Sequence, residues 1–230
     1  MAAILFGSIS TIADTSELQR HAFNDAFDAH GLGWHWDRED YVAMLAESGG
    51  QNRVAAYAAS QGQEVDATAV HQTKSTMFQK KLAEARVPAR PGVLDTLRSA
   101  KSDGVKVALV TTTSAENIAA LIGAMGADLA PADFDLIVDA SDVAQPKPAA
   151  AAYAFALDHL DEEVDDCVAI EDNVDGVTAA VAAGLTCLAF PNENTTGQDF
   201  TAARRVVNLL DFAELRMSET PATHQNGAAS

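Results

Sequence analysis

The chain has 230 residues, enough for one large α/β domain carrying a smaller insertion. Its 48% hydrophobic and 21% charged residues are ordinary for a globular protein, and no apolar run approaches the length of a membrane span. With 33 acidic against 15 basic residues the formal charge is −18, which works against nucleic acid and anionic membrane surfaces, so a phosphorylated ligand needs a local positive pocket.

The amino terminus lacks the basic segment, long apolar run and small-residue cleavage site of a signal peptide, and the expected location is cytoplasmic. "AAILF" (2–6) reads as a buried strand that runs into the uncharged turn "FGSIST" (6–11). Residues 1–13 contain no Asp or Glu. If strand geometry continues, Ser8 points away from Gly7 and Ile9, no base stands near Ser8 or Ser10, and both serines satisfy turn amides.

Residues 16–88 read as a helical insertion. "ELQRHAFNDAFDAHG", "REDYVAMLAES", "QNRVAAYAASQG" and "VDATAVHQTKSTMFQKKLAEA" follow one another with helical periodicity and no strand between them. "ARPGVLDTLRSAKSDG" then returns the chain to short apolar runs that alternate with helices: "VKVALV" (105–110), "FDLIVD" (134–139), "DCVAIED" (166–172) and "TCLAF" (186–190). That alternation predicts a parallel sheet covered by helices, with "RVVNLL" (205–210) as a short edge.

Thr113-Ser114-Ala115-Glu116 has capping-box spacing, and Gly126 stops the helix that follows. Lys147-Pro148 puts proline in the first turn of "AAAAYAFALDHL"; Asn173 caps "VDGVTAAVAAG" and Gly184 ends it. These helix amino termini face the strand tips, where anions bind well. Cys167 and Cys187 lie in apolar runs and read as reduced, buried thiols. The six histidines show no metal-ligand spacing, and His35 reads as packed with Trp34 and Trp36. Residues 216–230 read as a disordered tail.

The segment F-x-x-x-x-T-[IL]-x-D-T from Phe6 to Thr15, followed by "VALVTTTS", "QPKP" and "AIEDNVDGVTAAVAAGL", resembles the haloacid dehalogenase superfamily. "HAFNDAFDAHGLGWHWDREDY", "SGGQNRVAAY" and "RPGV" resemble its CbbY-type sugar-phosphate phosphatase branch. The resemblance implies a Rossmann-like core, residues 1–15 and 89–215, with a helical cap at 16–88. It also implies a site in which Thr111, Thr112 and Lys147 hold a phosphoryl group. It further implies that Glu171 and Asp172 help to hold Mg²⁺ and that Glu17, Gln19, Gly49, Gly50 and Arg53 face the substrate from the cap.

One departure stands out. In that family the first strand ends in D-x-D-G-T, whose first aspartate attacks phosphorus and whose second is the general acid and base. Aligned through Phe6, Thr11, Asp14 and Thr15, those positions are Gly7 and Ile9 in this chain. Gln19 stands where sugar-phosphate relatives carry a histidine. Losing a covalent nucleophile costs on the order of a million-fold in rate, about 8 kcal/mol of barrier. Without the Gly7 carboxylate, Glu171 and Asp172 are expected to bind Mg²⁺ weakly or not at all, so no cofactor is expected.

The reading is therefore a catalytically silent relative that binds phosphate or a small phosphorylated sugar. The alternatives are an active Mg²⁺-dependent sugar-phosphate phosphatase using non-standard residues such as Ser8 or Ser10, and a protein-interaction module whose partner the sequence does not name.

Overall fold

In the computed structural model, which describes residues 1–46 and 49–217 with the side chains of Ala46 and Met217 excepted, six strands pair in parallel in one sheet. They are β1 (Ala3–Phe6), β2 (Lys106–Val110), β3 (Leu136–Val138), β4 (Cys167–Glu171), β5 (Thr186–Ala189) and β6 (Arg205–Val206), in the order β3-β2-β1-β4-β5-β6. β1 is central and buried along its length, with Phe6 in register with Leu109 on one side and Ile170 on the other. Its alternation feeds two cores: Ile4 and Phe6 pack on one face, Ala3 and Leu5 on the other. The chain runs outward from β1 to β3 and then crosses back to β4. The carboxyl ends of β1 and β4 thus flank the switch point, where open α/β sheets bind ligands.

Among the described residues no strand lies between β1 and β2. Instead come α1 (Ile9–Ile12), α2 (Ser16–Ala29), α3 (Arg38–Ala43) with a following 3-10 turn (Met44–Ala46), α4 (Gly50–Ser60) and α5 (Ala67–Glu84). Helices α2 to α5 share a third core around Phe23, Phe27, Trp34, Trp36, Tyr41, Val54 and Val70. Trp36 sits edge-on to Phe27 with ring centroids 4.6 Å apart. Trp34 and Trp36 are buried and His35 between them is exposed, because the stretch is extended and alternates inside and outside. The expected packing of His35 with its neighbours is corrected accordingly.

The remaining helices are α6 (Val93–Ser102), α7 (Ala115–Met125), α8 (Ala151–Leu160), α9 (Val174–Ala182) and α10 (Phe212–Met217). Asn173 caps α9 by accepting the Gly176 N–H at 2.9 Å. Two boundaries differ from expectation. Ser114 caps α7 in place of Thr113, since it is the Ser114 side chain that accepts the Asn117 N–H. Pro148 lies in the loop before α8, after a cis Lys147–Pro148 bond, so it is not in the first helical turn. Arg216 and Met217 belong to α10, which corrects the start of the tail; residues 218–230 of that expectation lie outside the described residues. Both cysteines are free and buried. No helix among the described residues is long and apolar enough to cross a membrane.

Gly92, at the entry to α6, has φ +79, and a Cβ there would stand 1.9 Å from the carbonyl oxygen of Leu210. Strain and backbone overlap act together, so Gly92→Ala is expected to destabilise the fold by about 3 kcal/mol. A thermal melt within a degree of the wild type would refute that close approach.

Candidate functional site

β1 ends at Phe6, and the Gly7 N–H still donates to the Ile170 carbonyl at 2.8 Å, which keeps Gly7 beside the tip of β4. The space a side chain would take at Gly7 is filled by the Glu171 carboxyl group. A Cβ on Gly7 would lie 2.1 Å from Glu171 Cδ, and a Cβ on Gly176, from α9, would also lie 2.1 Å from it. Two glycines therefore form the cradle of one buried glutamate.

Lys147 locks it there. Its ammonium donates to Glu171 Oε1 at 2.6 Å, to the Val110 carbonyl at 2.7 Å and to the Gly7 carbonyl, while the Tyr153 hydroxyl donates to the same Oε1 at 2.7 Å. Lys147, Tyr153 and Glu171 are all buried. Burial pushes the Glu171 carboxyl above the usual carboxylate range and outweighs the pull of Lys147. The Tyr153 phenol is raised well above its ordinary value, first by burial and then by the Glu171 charge. Removing any one member would leave a buried group uncompensated, the costly way to break such a pair.

Asp172 is equally engaged. Its Oδ1 accepts from Ser8 Oγ at 2.7 Å and from Asn173 Nδ2 at 3.1 Å, and its Oδ2 accepts from Asn192 Nδ2 at 2.8 Å. Ser8 caps the single turn of α1, its Oγ accepting the N–H groups of Ser10 at 3.0 Å and Thr11 at 3.1 Å. The strand does not continue through Ser8, and a carboxylate stands at its hydroxyl, contrary to the expectation of no nearby base. With one proton given and two N–H groups received, that hydroxyl is fully used as a helix cap. Ile9 is buried in the sheet core. Thr111 is buried next to the Val110 carbonyl that Lys147 binds, its Oγ1 accepting the Thr113 N–H at 3.2 Å, and Thr112 is half-buried. Among the described residues no group of three or more His, Cys, Asp or Glu side chains is arranged to hold a metal ion.

A second cluster lies in the helical segment. Sequence reasoning missed its central residue, Lys74. The available signal was a lysine on the buried stripe Val70-Lys74-Phe78-Leu82 of α5, where helical spacing calls for an apolar side chain. Its ammonium donates to Gln19 Oε1 at 2.8 Å and lies 4.9 Å and 5.1 Å from the ring centroids of Phe23 and Phe78. No carboxylate among the described residues comes within ion-pair distance of it. Burial, and then the charge of Arg53, lower its pKa to about 7. His71 falls to about 4, mainly through burial, with Lys74 and Arg53 adding to it.

Gly50 is packed on this cluster, since a Cβ there would meet His71 Nε2 at 2.7 Å, and Gly49 precedes it with φ +97. Arg53 donates to the Met44 carbonyl at 2.9 Å and stands 5.6 Å from the Tyr41 ring centroid. From Lys74 a chain of polar contacts runs through Gln19 to Thr15 (3.4 Å) and on to Ser10 (2.9 Å), which joins the cluster to the β1 loop. Glu17 is turned elsewhere: its Oε2 pairs with Arg20 at 2.8 Å and its Oε1 accepts from Asn194 at 2.8 Å.

A parallel sheet in this order, with a helical segment inserted after its first strand and polar groups gathered at its switch point, defines a Rossmann-like α/β protein with a helical insertion. The chain belongs to the haloacid dehalogenase-like hydrolase family, whose model matches residues 1–184. Protein CbbY of Cereibacter sphaeroides is 38% identical over 216 residues, 93% of each chain. The CBBY-like protein of Arabidopsis thaliana is 30% identical over 222 residues, covering 90% of this chain and 69% of that one. The crystal structure of CbbY from Rhodobacter sphaeroides in complex with phosphate matches with a TM-score of 0.84 at 37% identity, over 94% of this chain and 96% of that one. A mutant of that CbbY, in complex with xylulose-(1,5)bisphosphate, matches equally well.

The burial of Lys74, with no carboxylate partner among the described residues, sets up a stability test. Its folded pKa near 7 lies below the ordinary 10.5, so between those values the unfolded chain binds more protons and wild-type stability rises with pH. Lys74→Met removes the penalty and is expected to stabilise by about 2 kcal/mol below pH 7, with the gain fading as pH approaches 10. Denaturant melts across that range would detect it, and a variant less stable than wild type at pH 6 would refute the assignment.

Proposed function

We propose that this chain is a catalytically silent member of its family that binds phosphate or a small phosphorylated sugar. The observation that carries the silence is the Glu171 carboxyl packed against Gly7 in the space a side chain would need. At the positions of the two family aspartates stand Gly7 and the core residue Ile9, so neither position offers a nucleophile or an acid-base group.

Retained ligand binding is supported by Lys74, a buried ammonium with no carboxylate partner among the described residues, joined by hydrogen bonds to that loop. Keeping such a charge inside a protein works against stability, which is the usual mark of a functional group. Thr111, Thr112 and Lys147 supply the phosphoryl end in this reading, and Gln19, Gly49, Gly50 and Arg53 the sugar end. Lys147 is already neutralised by Glu171, so the attraction for an arriving anion comes chiefly from Lys74.

Magnesium does not fit the residues present. Glu171 Oε1 already takes two donors and the Asp172 oxygens take three; the one acidic oxygen without a partner, Glu171 Oε2, is buried against Gly176, so a near-octahedral ion has no second free carboxylate oxygen beside it. No step is assigned to a metal. The second reading, an active hydrolase, draws on the 2.7 Å contact of Ser8 with Asp172; it is weakened by the two N–H groups that occupy the same hydroxyl oxygen.

Calorimetry with inorganic phosphate, sulfate and pentose phosphates in metal-free buffer tests the proposal. Binding at millimolar ligand or better is expected, at least about tenfold weaker in Lys74→Met, and without release of phosphate from the sugar esters. Sulfate keeps its charge near neutrality, so its affinity is expected to fall as pH rises through about 7 and Lys74 loses its proton. No binding at 10-millimolar scale would end the ligand reading. Mg²⁺-dependent phosphate release that disappears in Ser8→Ala would favour the hydrolase.

A further inference from the structure

The helical segment meets the sheet domain along two edges that are fastened by different physics. Along α5 the contact is mainly apolar: Phe78 and Leu82 share a core with Ile118 and Leu121 of α7. Along α2 and α3 it is polar and converges on one loop after β5. Arg38 of α3 donates through Nε to Asn194 Oδ1 at 2.8 Å and through Nη2 to the Glu193 carbonyl at 2.8 Å. Asn194 Nδ2 donates to Glu17 Oε1 of α2 at 2.8 Å, and Gln198 Nε2 to the Leu45 carbonyl at 2.8 Å.

The inner side of the same loop grips the site. Asn192 Nδ2 donates to Asp172 Oδ2 at 2.8 Å, Thr195 Oγ1 to the Asp172 carbonyl at 2.6 Å, and the Asn194 N–H to Asn192 Oδ1 at 2.9 Å. Asn192, Asn194 and Thr195 are all buried. Water can replace directional polar contacts one for one, whereas separating an apolar edge exposes its whole area. The polar edge is therefore the one that parts more easily.

We propose that the loop Asn192–Gln198 is a latch that holds the α2–α3 edge of the helical segment against the strand tips, with the apolar α5 edge as the hinge. Asn194 is the positioning residue, because its one amide engages Glu17 of α2 and Arg38 of α3 together. Asn192 ties the latch to Asp172, so the loop joins the site to the segment above it. The proposal rests on the anion-binding reading only for what the latch covers, and its own test needs no ligand.

Hydrogen exchange of the full-length protein reads it directly. Arg38→Ala, a change at an exposed side chain, and Asn194→Ala are each expected to speed amide exchange in α2 and α3 about tenfold while leaving β1 and β4 unchanged. Gln79→Ala removes the polar contact on the hinge edge, Gln79 Nε2 to Asn117 Oδ1 at 3.0 Å, and is expected to leave α2 and α3 as they are. Unchanged exchange in Arg38→Ala, a rise spread over the sheet, or an equal opening by Gln79→Ala would overturn the latch. Stopped-flow binding of sulfate adds a second readout, with a faster on-rate expected in Arg38→Ala and an unchanged one counting against the latch. Should sulfate fail to bind at all, the ligand reading falls while the exchange result still decides the latch.

Discussion

The site depends on one buried ion pair. Where β1, β2 and β4 end, the Lys147 ammonium gathers the carbonyls of Gly7 and Val110 and the carboxylate of Glu171, and Tyr153 completes the set. A pair so deep is stable only when its remaining valences are met; the backbone of two strand ends meets those of Lys147, while Glu171 Oε2 is left buried without a partner. The consequence is geometric as well as electrostatic. The pair pins the strand tips together, and it fills the cavity next to Gly7 with protein atoms. In the proposed reading the β1 loop lost its carboxylates and the neighbouring glutamate took over the vacated volume, so shape and chemistry changed together.

Charge is distributed unevenly between the two clusters. Lys147 is matched by a carboxylate, whereas Lys74 has an amide oxygen and two ring faces. In a protein of net charge −18, a buried ammonium that no carboxylate among the described residues matches keeps a local positive spot in an otherwise repelling field. The CbbY relatives include structures with phosphate and with a bisphosphate sugar bound, which gives the proposed ligand class its chemical precedent.

The asparagine-rich loop after β5 adds a mechanical layer. It faces inward to Asp172 and outward to Glu17 and Arg38, so a side chain implied to face the substrate is instead engaged by the loop.

Much of this was legible in the chain alone, for identifiable reasons. Parallel strands are buried on both faces and read as short apolar runs, which is why the strand segments and their alternation with helices could be located. Asn173 and Gly184 bound α9 through local backbone chemistry, and Gly7 and Ile9 declare the absence of carboxylates by identity alone. Local sequence could not say where side chains of distant segments meet. The turn of Ser8 toward Asp172, the seat of Glu171 between Gly7 and Gly176, the partnership of Lys74 with Gln19 and the grip of Asn194 on two helices join residues separated by 55 to 177 positions, apart from Gly176. The sequence by itself determined the sheet, its helices and a first loop without Asp or Glu through residue 13, because period, capping and residue identity are local. Only the tertiary structure decided what fills the site and what holds it shut, because burial and pairing depend on which surfaces the fold brings into contact.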